Sequence, residues 1–174
     1  MTNREAGINV IREMMGDQAA TKLGASADSN TFGAPIAAYA VDQVFADIWT
    51  RPGLDRRSRS LVSMSVMIAM RQPHEFAIHM GAGLNNGLTL KEIEEVLIQA
   101  LPYVGYPAIA TALAAAADVI KERGLDVDET TLATVACFDT KRHPHSEKAG
   151  LHSDRRRVSI GAASGRRECF KKSA

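Results

Sequence analysis

The sequence predicts an all-α fold of about six helices with a poorly structured basic tail, on three observations. Aromatic residues make up only 5% of the 174, so the 45% apolar content rests on Ala, Leu, Ile, Val and Met, which suit packed helices better than stacked sheets. Apolar side chains recur at helical spacing over long stretches, and no convincing strand alternation competes with them. Residues that start and stop helices fall at the ends of those stretches.

Taken in order, residues 4–16 make a short amphipathic helix with Ile8, Val10, Ile11, Met14 and Met15 as its apolar positions, stopped by Gly16. Residues 22–31, small and polar, read as a loop. A stripe of Phe32, Ile36, Ala37, Ala40, Val41, Val44, Phe45, Ile48 and Trp49 then marks a second helix, with Pro35 in its first turn and Arg51-Pro52-Gly53 breaking it. Asp55 precedes a third helix, 56–71. It is apolar nearly all round from Leu61 to Met70 and is expected to be central and buried. Pro73 opens a fourth that runs through Glu75, His79 and Leu84 and stops at Asn86-Gly87. Thr89 and Glu92 form a capping box for a fifth, with Ile93, Val96, Leu97, Ala100 and Leu101 on one face. Residues 103–107 read as a connector, and Pro107 opens an alanine-rich sixth helix ending at Gly124.

Periodicity fades after Ala136, so the chain divides into a helical domain, 1–136, and a tail, 137–174, expected to be disordered. The tail holds ten Lys/Arg against four Asp/Glu, a net charge of +6, which leaves −5 on the body. An acidic body with a basic tail is not a nucleic-acid-binding domain, whose basic stripe would lie on a folded element. The two cysteines, Cys137 and Cys169, make no disulfide framework. The longest apolar run, Leu61 to Met70, is half the ~20 residues that span a bilayer. The simple expectation is a cytoplasmic protein without nucleic-acid or membrane partners. His143, His145 and His152 lack the Cys or carboxylate spacing of a metal site.

The candidate for chemistry is Glu75 with His79. Four residues apart on one helix, their side chains stack on one face. A carboxylate beside an imidazole raises its proton affinity and can hold its tautomer, which suits proton transfer near neutral pH. The competing reading is an ordinary surface pair worth tenths of a kcal/mol. Arg51, Arg56, Arg57 and Arg59 crowd the start of a helix, where the macrodipole gives cations no advantage. Some could hold carboxylates by bidentate contacts; otherwise they are solvated or pair with nearby acids. Met64, Met67, Met70 and Met80 read as core filler.

Several segments taken together resemble the carboxymuconolactone decarboxylase family of the alkylhydroperoxidase D-like superfamily. They are Arg51-Pro52-Gly53-Leu54, Arg57-Ser58-Arg59-Ser60-Leu61 and Pro73-His74-Glu75-Phe76-Ala77-Ile78-His79. Leu84-Asn85-Asn86-Gly87-Leu88-Thr89, Glu92-Ile93-Glu94-Glu95-Val96-Leu97 and Tyr103-Val104-Gly105-Tyr106-Pro107-Ala108 follow in the family's order and spacing. The superfamily's peroxidase branch carries Cys-x-x-Cys-x-x-x-His on the fourth helix. Here that pattern falls on Gln72, Glu75 and His79, and the branch's relay carboxylate falls near Ser60. Without a thiol in the folded domain, thiol peroxidase chemistry is excluded.

The resemblance to the decarboxylase branch implies an alkylhydroperoxidase D-like helical bundle. It also implies a cofactor-free carboxy-lyase that converts 4-carboxymuconolactone, or a related carboxylated lactone, to the 3-oxoadipate enol-lactone in aromatic-acid catabolism. Under it, His79 stabilises the enolate or delivers the proton, Glu75 orients His79 or shares the proton, and Arg57, Arg59 and Arg51 are candidates for binding the small anionic substrate. No metal or cofactor is implied, and a homo-oligomer, trimer or hexamer, is. Two further readings stand beside it: a same-fold cofactor-free isomerase, hydrolase or decarboxylase of another unsaturated acid, and a non-catalytic helical binding protein.

Overall fold

The structure, a computed structural model, describes residues 1–125 and Val127; the tail, and the boundary expected at 136/137, lie outside them. Among the described residues there are seven α-helices and one π-helical segment, and no strand. They are α1 (Asn3–Met15), α2 (Asp17–Ala27), α3 (Ala34–Tyr39) continuing as a π-helix (Ala40–Ile48), α4 (Arg56–Ala69), α5 (Pro73–Asn85), α6 (Leu90–Val104) and α7 (Tyr106–Glu122).

Two apolar clusters organise these elements. In the first, Val10, Ile11 and Met14 of α1 pack with Ala20 of α2, with Val41 and Phe45 of the π-helix, and with Trp49 and Ala82. A capping box starts α1: Thr2 Oγ1 accepts from Glu5 N at 3.2 Å, and Glu5 Oε2 accepts from Thr2 N at 2.8 Å. Gly7 lets α1 approach the π-helix, since a Cβ there would collide with the Val41 carbonyl oxygen.

Here the structure corrects the expected loop at 22–31, because helix α2 continues to Ala27. The stretch has weak helical signals of its own, but Leu23 and Ala27 pack on the first cluster and Gly24 lies against the Ile8 side chain. Tertiary contact outweighs composition there. The stripe from Phe32 to Trp49 is also only half covered: Ala37, Val41, Phe45 and Trp49 are buried, whereas Phe32, Ile36, Val44 and Ile48 are exposed.

The second cluster joins α4, α5, α6 and α7 through Met64, Ile68, Phe76, Met80, Ile93, Leu97, Ala112, Ala116 and Ile120, among others. Asp55 caps α4, its side chain accepting from Ser58 N at 2.9 Å, and the Thr89–Glu92 box caps α6. Helix α4 is not buried all round, as its sequence suggests. Met64 and Ile68 are buried, but Val62, Val66 and Met70, one turn apart in succession, are exposed. Nor is 103–107 a loop. Helix α6 runs through Pro102 to Val104, α7 begins at Tyr106, and Gly105 at φ 78° is the whole link.

Asn85 joins the two clusters. Its Nδ2 donates to the Met14 carbonyl at 2.7 Å, and its Oδ1 accepts from Arg123 Nη1 at 2.9 Å. One residue thereby ties the C-terminal ends of α1, α5 and α7.

Candidate active site

Helices α4 and α5 form an antiparallel hairpin that reverses at residues 70–72. The turn is a Schellman motif: Gln72 N donates to Met67 O and Arg71 N to Ile68 O, both at 3.0 Å. Gln72 then precedes Pro73 at the start of α5. This places Glu75 in the first turn of α5 and His79 one turn further on.

The two expected catalytic side chains sit differently. Glu75 is exposed and His79 is half-buried. Their interaction is through space, without a hydrogen bond between them. The His79 Nδ1 atom is buried and has no partner among the described residues. Burial pushes the His79 pKa below its ordinary value, and the nearby Glu75 charge pulls it back up by a smaller amount. The imidazole is therefore neutral near pH 7, with one N–H to donate and one bare nitrogen to accept a proton.

The three expected substrate-binding arginines lie at or before the N-terminal end of α4. Arg57 donates to the Gly87 carbonyl and pairs with Glu92, a link from α4 to the start of α6. Arg59 donates from Nη2 to the Arg51 carbonyl at 2.8 Å, while its Nε is buried without a partner. Arg51 is exposed. The structure thus brings Arg51 to Arg59, and Glu75 to His79, without a hydrogen bond or ion pair between the two groups. Ser60, where the thiol branch would carry its relay carboxylate, is buried and satisfied. It donates to Arg56 O at 3.0 Å and accepts from Asn86 Nδ2 at 2.9 Å.

Beside the hairpin turn lies a shallow cleft, with room for about one water molecule, lined by Met67, Ile68, Phe76, Ala108 and Ala112, with Arg71, Gln72, Pro73 and Thr111 completing it. Neither Glu75 nor His79 lines it. Sequence reasoning passed over Arg71. The available signal was a basic residue where a helix ends and glycine is usual. Among the described residues no three His, Cys, Asp or Glu side chains cluster as metal ligands, and no helix is long and apolar enough to cross a membrane.

An all-helical chain with a carboxylate–imidazole pair on the second helix of a hairpin defines a class, and comparison with known proteins gives that class its family. A model of the carboxymuconolactone decarboxylase family matches residues 35–118, which include the whole α4–α5 hairpin. The chain is 30% identical over 119 residues to 4-carboxymuconolactone decarboxylase of Acinetobacter baylyi, covering 68% of this chain and 87% of that one. It is 29% identical over 109 residues to nitrosuccinic acid decarboxylase npaB of Metarhizium robertsii, covering 63% of this chain and 75% of that one. The chain belongs to the carboxymuconolactone decarboxylase family.

Proposed function

We propose that this protein is a cofactor-free decarboxylase of a small carboxylated acid whose own structure accepts the electrons released with CO2, with 4-carboxymuconolactone as the leading substrate. Two relatives carry decarboxylase names, and the named compounds share one chemical feature. In the lactone, the C–C bond to the leaving carboxylate breaks and its electron pair delocalises through the ring double bond onto the lactone carbonyl. In nitrosuccinic acid, the nitro group can take the pair as a nitronate. Neither needs an external electron sink.

The observation that carries the reading is His79: half-buried, neutral near pH 7, with Glu75 one turn before it. A neutral imidazole N–H stabilises the developing oxyanion without having to be discharged first. A proton must then reach the carbon that lost CO2. His79 passes it on as a relay, giving up its N–H as its other ring nitrogen takes a proton from solvent, so the imidazole starts and ends neutral, and Glu75 orients the ring. Of the arginines, Arg59 is our preferred carboxylate ligand at the N-terminal end of α4 because its Nε lacks a partner, with Arg51 beside it; Arg57 is already engaged by Glu92 and Gly87.

We further propose that the protein works as a homo-oligomer, a trimer or hexamer. The exposed Val62, Val66 and Met70 on α4, with Phe32, Ile36 and Ile48, leave apolar surface that a second copy would cover. Light scattering behind size-exclusion chromatography measures this directly.

The test of the activity is CO2 release from 4-carboxymuconolactone and from nitrosuccinate by metal-free protein, with His79→Ala and Glu75→Gln as controls. Release from the lactone that collapses in His79→Ala supports the leading reading, and release only from nitrosuccinate moves the substrate to the nitro acid. Turnover of neither, or turnover indifferent to both substitutions, removes the pair from any such mechanism.

A further inference from the structure

Three helices of this chain end in the same Schellman motif, and one breaks the rule for its residue. At the end of α5, Leu88 N donates to Gly83 O at 2.9 Å and Gly87 N to Leu84 O at 3.0 Å. At the end of α7, Leu125 N donates to Ile120 O at 3.1 Å and Gly124 N to Lys121 O at 3.2 Å. Both use glycine at the left-handed position, with φ 90° and 57°. Helix α4 closes with the same pair of bonds but puts Arg71 at that position, with φ 57°. Arg71 is the non-glycine residue at positive φ among those described. A left-handed arginine is strained by its Cβ where glycine is not. Local stability favours glycine at 71 apart from the helix dipole, which leaves the arginine side chain open to a second role.

Its surroundings say what. Arg71 lines the cleft whose walls are Met67, Phe76 and Ala108, and its side chain makes no ion pair or hydrogen bond with the described residues. It stands two residues before α5, on the strand of chain that leads into Glu75. At about 1.5 Å of rise per residue, His79 lies roughly 9 Å along the helix from Pro73, within the combined reach of an arginine and a small diacid.

Resting on the decarboxylase reading, we propose that Arg71 is a binding residue for the carboxylate the substrate retains. It holds that group over the apolar cleft so that the other, departing carboxylate is presented toward His79. The planar guanidinium offers two parallel donors to one carboxylate.

The test uses Arg71→Gly, which suits the turn and preserves the fold, and Arg71→Lys, which keeps the charge and loses the fork. Binding of succinate is followed by titration calorimetry, and turnover of 4-carboxymuconolactone by CO2 release. Arg71→Gly is expected to melt no lower than wild type, to weaken succinate binding about tenfold or more, and to raise KM by a similar factor while kcat changes less. Arg71→Lys should recover part of the loss. The two readings fail separately. Succinate binding that depends on Arg71 in a protein releasing no CO2 keeps the anchor and ends the decarboxylase assignment. Turnover with KM and succinate affinity unchanged in Arg71→Gly keeps the enzyme and overturns the anchor. Wild-type protein that binds no succinate and turns over neither substrate overturns both.

Discussion

At one end of the α4–α5 hairpin Arg57 is held by Gly87 and Glu92, Asn86 donates to Ser60, and Ser60 donates to Arg56 O. At the other end Arg71 and Glu75 make no side-chain hydrogen bond with the described residues, and further along α5 the buried His79 Nδ1 has no partner among them. The same two helices supply both ends, so the difference is not one of architecture. Buried polar groups are ordinarily satisfied, and a chain that satisfies them at one end can do so at the other. Under the proposed function the buried, partner-less His79 nitrogen is the group at this end that a ligand would satisfy, and the groups closed at the other end hold the hairpin. The partner-less Arg59 Nε is the exception at the closed end, which is why Arg59 stays a candidate and Arg57 does not lead.

The comparison breaks most visibly at His79. His79→Ala is expected to lower kcat by about 10²- to 10⁴-fold, the range for losing a general acid or base, with a fold that circular dichroism reports as unchanged. Comparable activity in the variant would mean that the open end is merely under-packed. Next in size is Phe76→Ala. Phe76 is fully buried between α4, α6 and α7, and its loss should cost about 3–5 kcal/mol in denaturant unfolding. The closed end gives a smaller effect. Asn86→Ala leaves Ser60 Oγ without its donor and should cost about 1–2 kcal/mol of stability while leaving kcat alone. A loss of turnover at constant stability would show that the closed end also serves the chemistry.

Much of this contrast was legible beforehand, and the parts that were not share a cause. Asp55, the Thr89–Glu92 box, Pro73 and Gly87 announce helix ends through local chemistry, and each sits where that chemistry requires. The Glu75–His79 pair follows from spacing alone. What stayed hidden depends on contacts distant in sequence. Helix α2 is held by Ile8 of α1, the π-helical turn of Ala40–Ile48 shares its apolar stripe with an α-helix, and the Arg57–Glu92 pair spans 35 residues. The exposed flank of α4 escaped for another reason. An apolar side chain at Val62 or Val66 reads the same whether this chain or a second copy covers it.

The smallest expected effect separates the two ends by pH. Because the folded-state pKa of His79 is lowered, the unfolded chain binds a proton more readily there than the folded one. This unfavourable term is absent above the ordinary value near 6.5 and grows as pH falls below it toward the depressed folded value. Stability should therefore begin to decline below about pH 6.5, and His79→Gln should remove that part of the decline. The closed end titrates elsewhere. Backbone and hydroxyl donors from Thr89, with Arg57 adding its charge, hold the Glu92 carboxyl below its ordinary 4.5. Its stabilising contribution is present above that value and is lost as pH falls through the lowered one. Denaturant midpoints measured from pH 8 to pH 3 should show two windows, the upper abolished by His79→Gln and the lower reduced by Glu92→Gln, with Asp42 and Asp55, whose carboxyls are also held low, keeping the rest. A single window below pH 4.5, unaffected at position 79, would mean that His79 is as solvated as any surface histidine, and the contrast between the two ends would collapse.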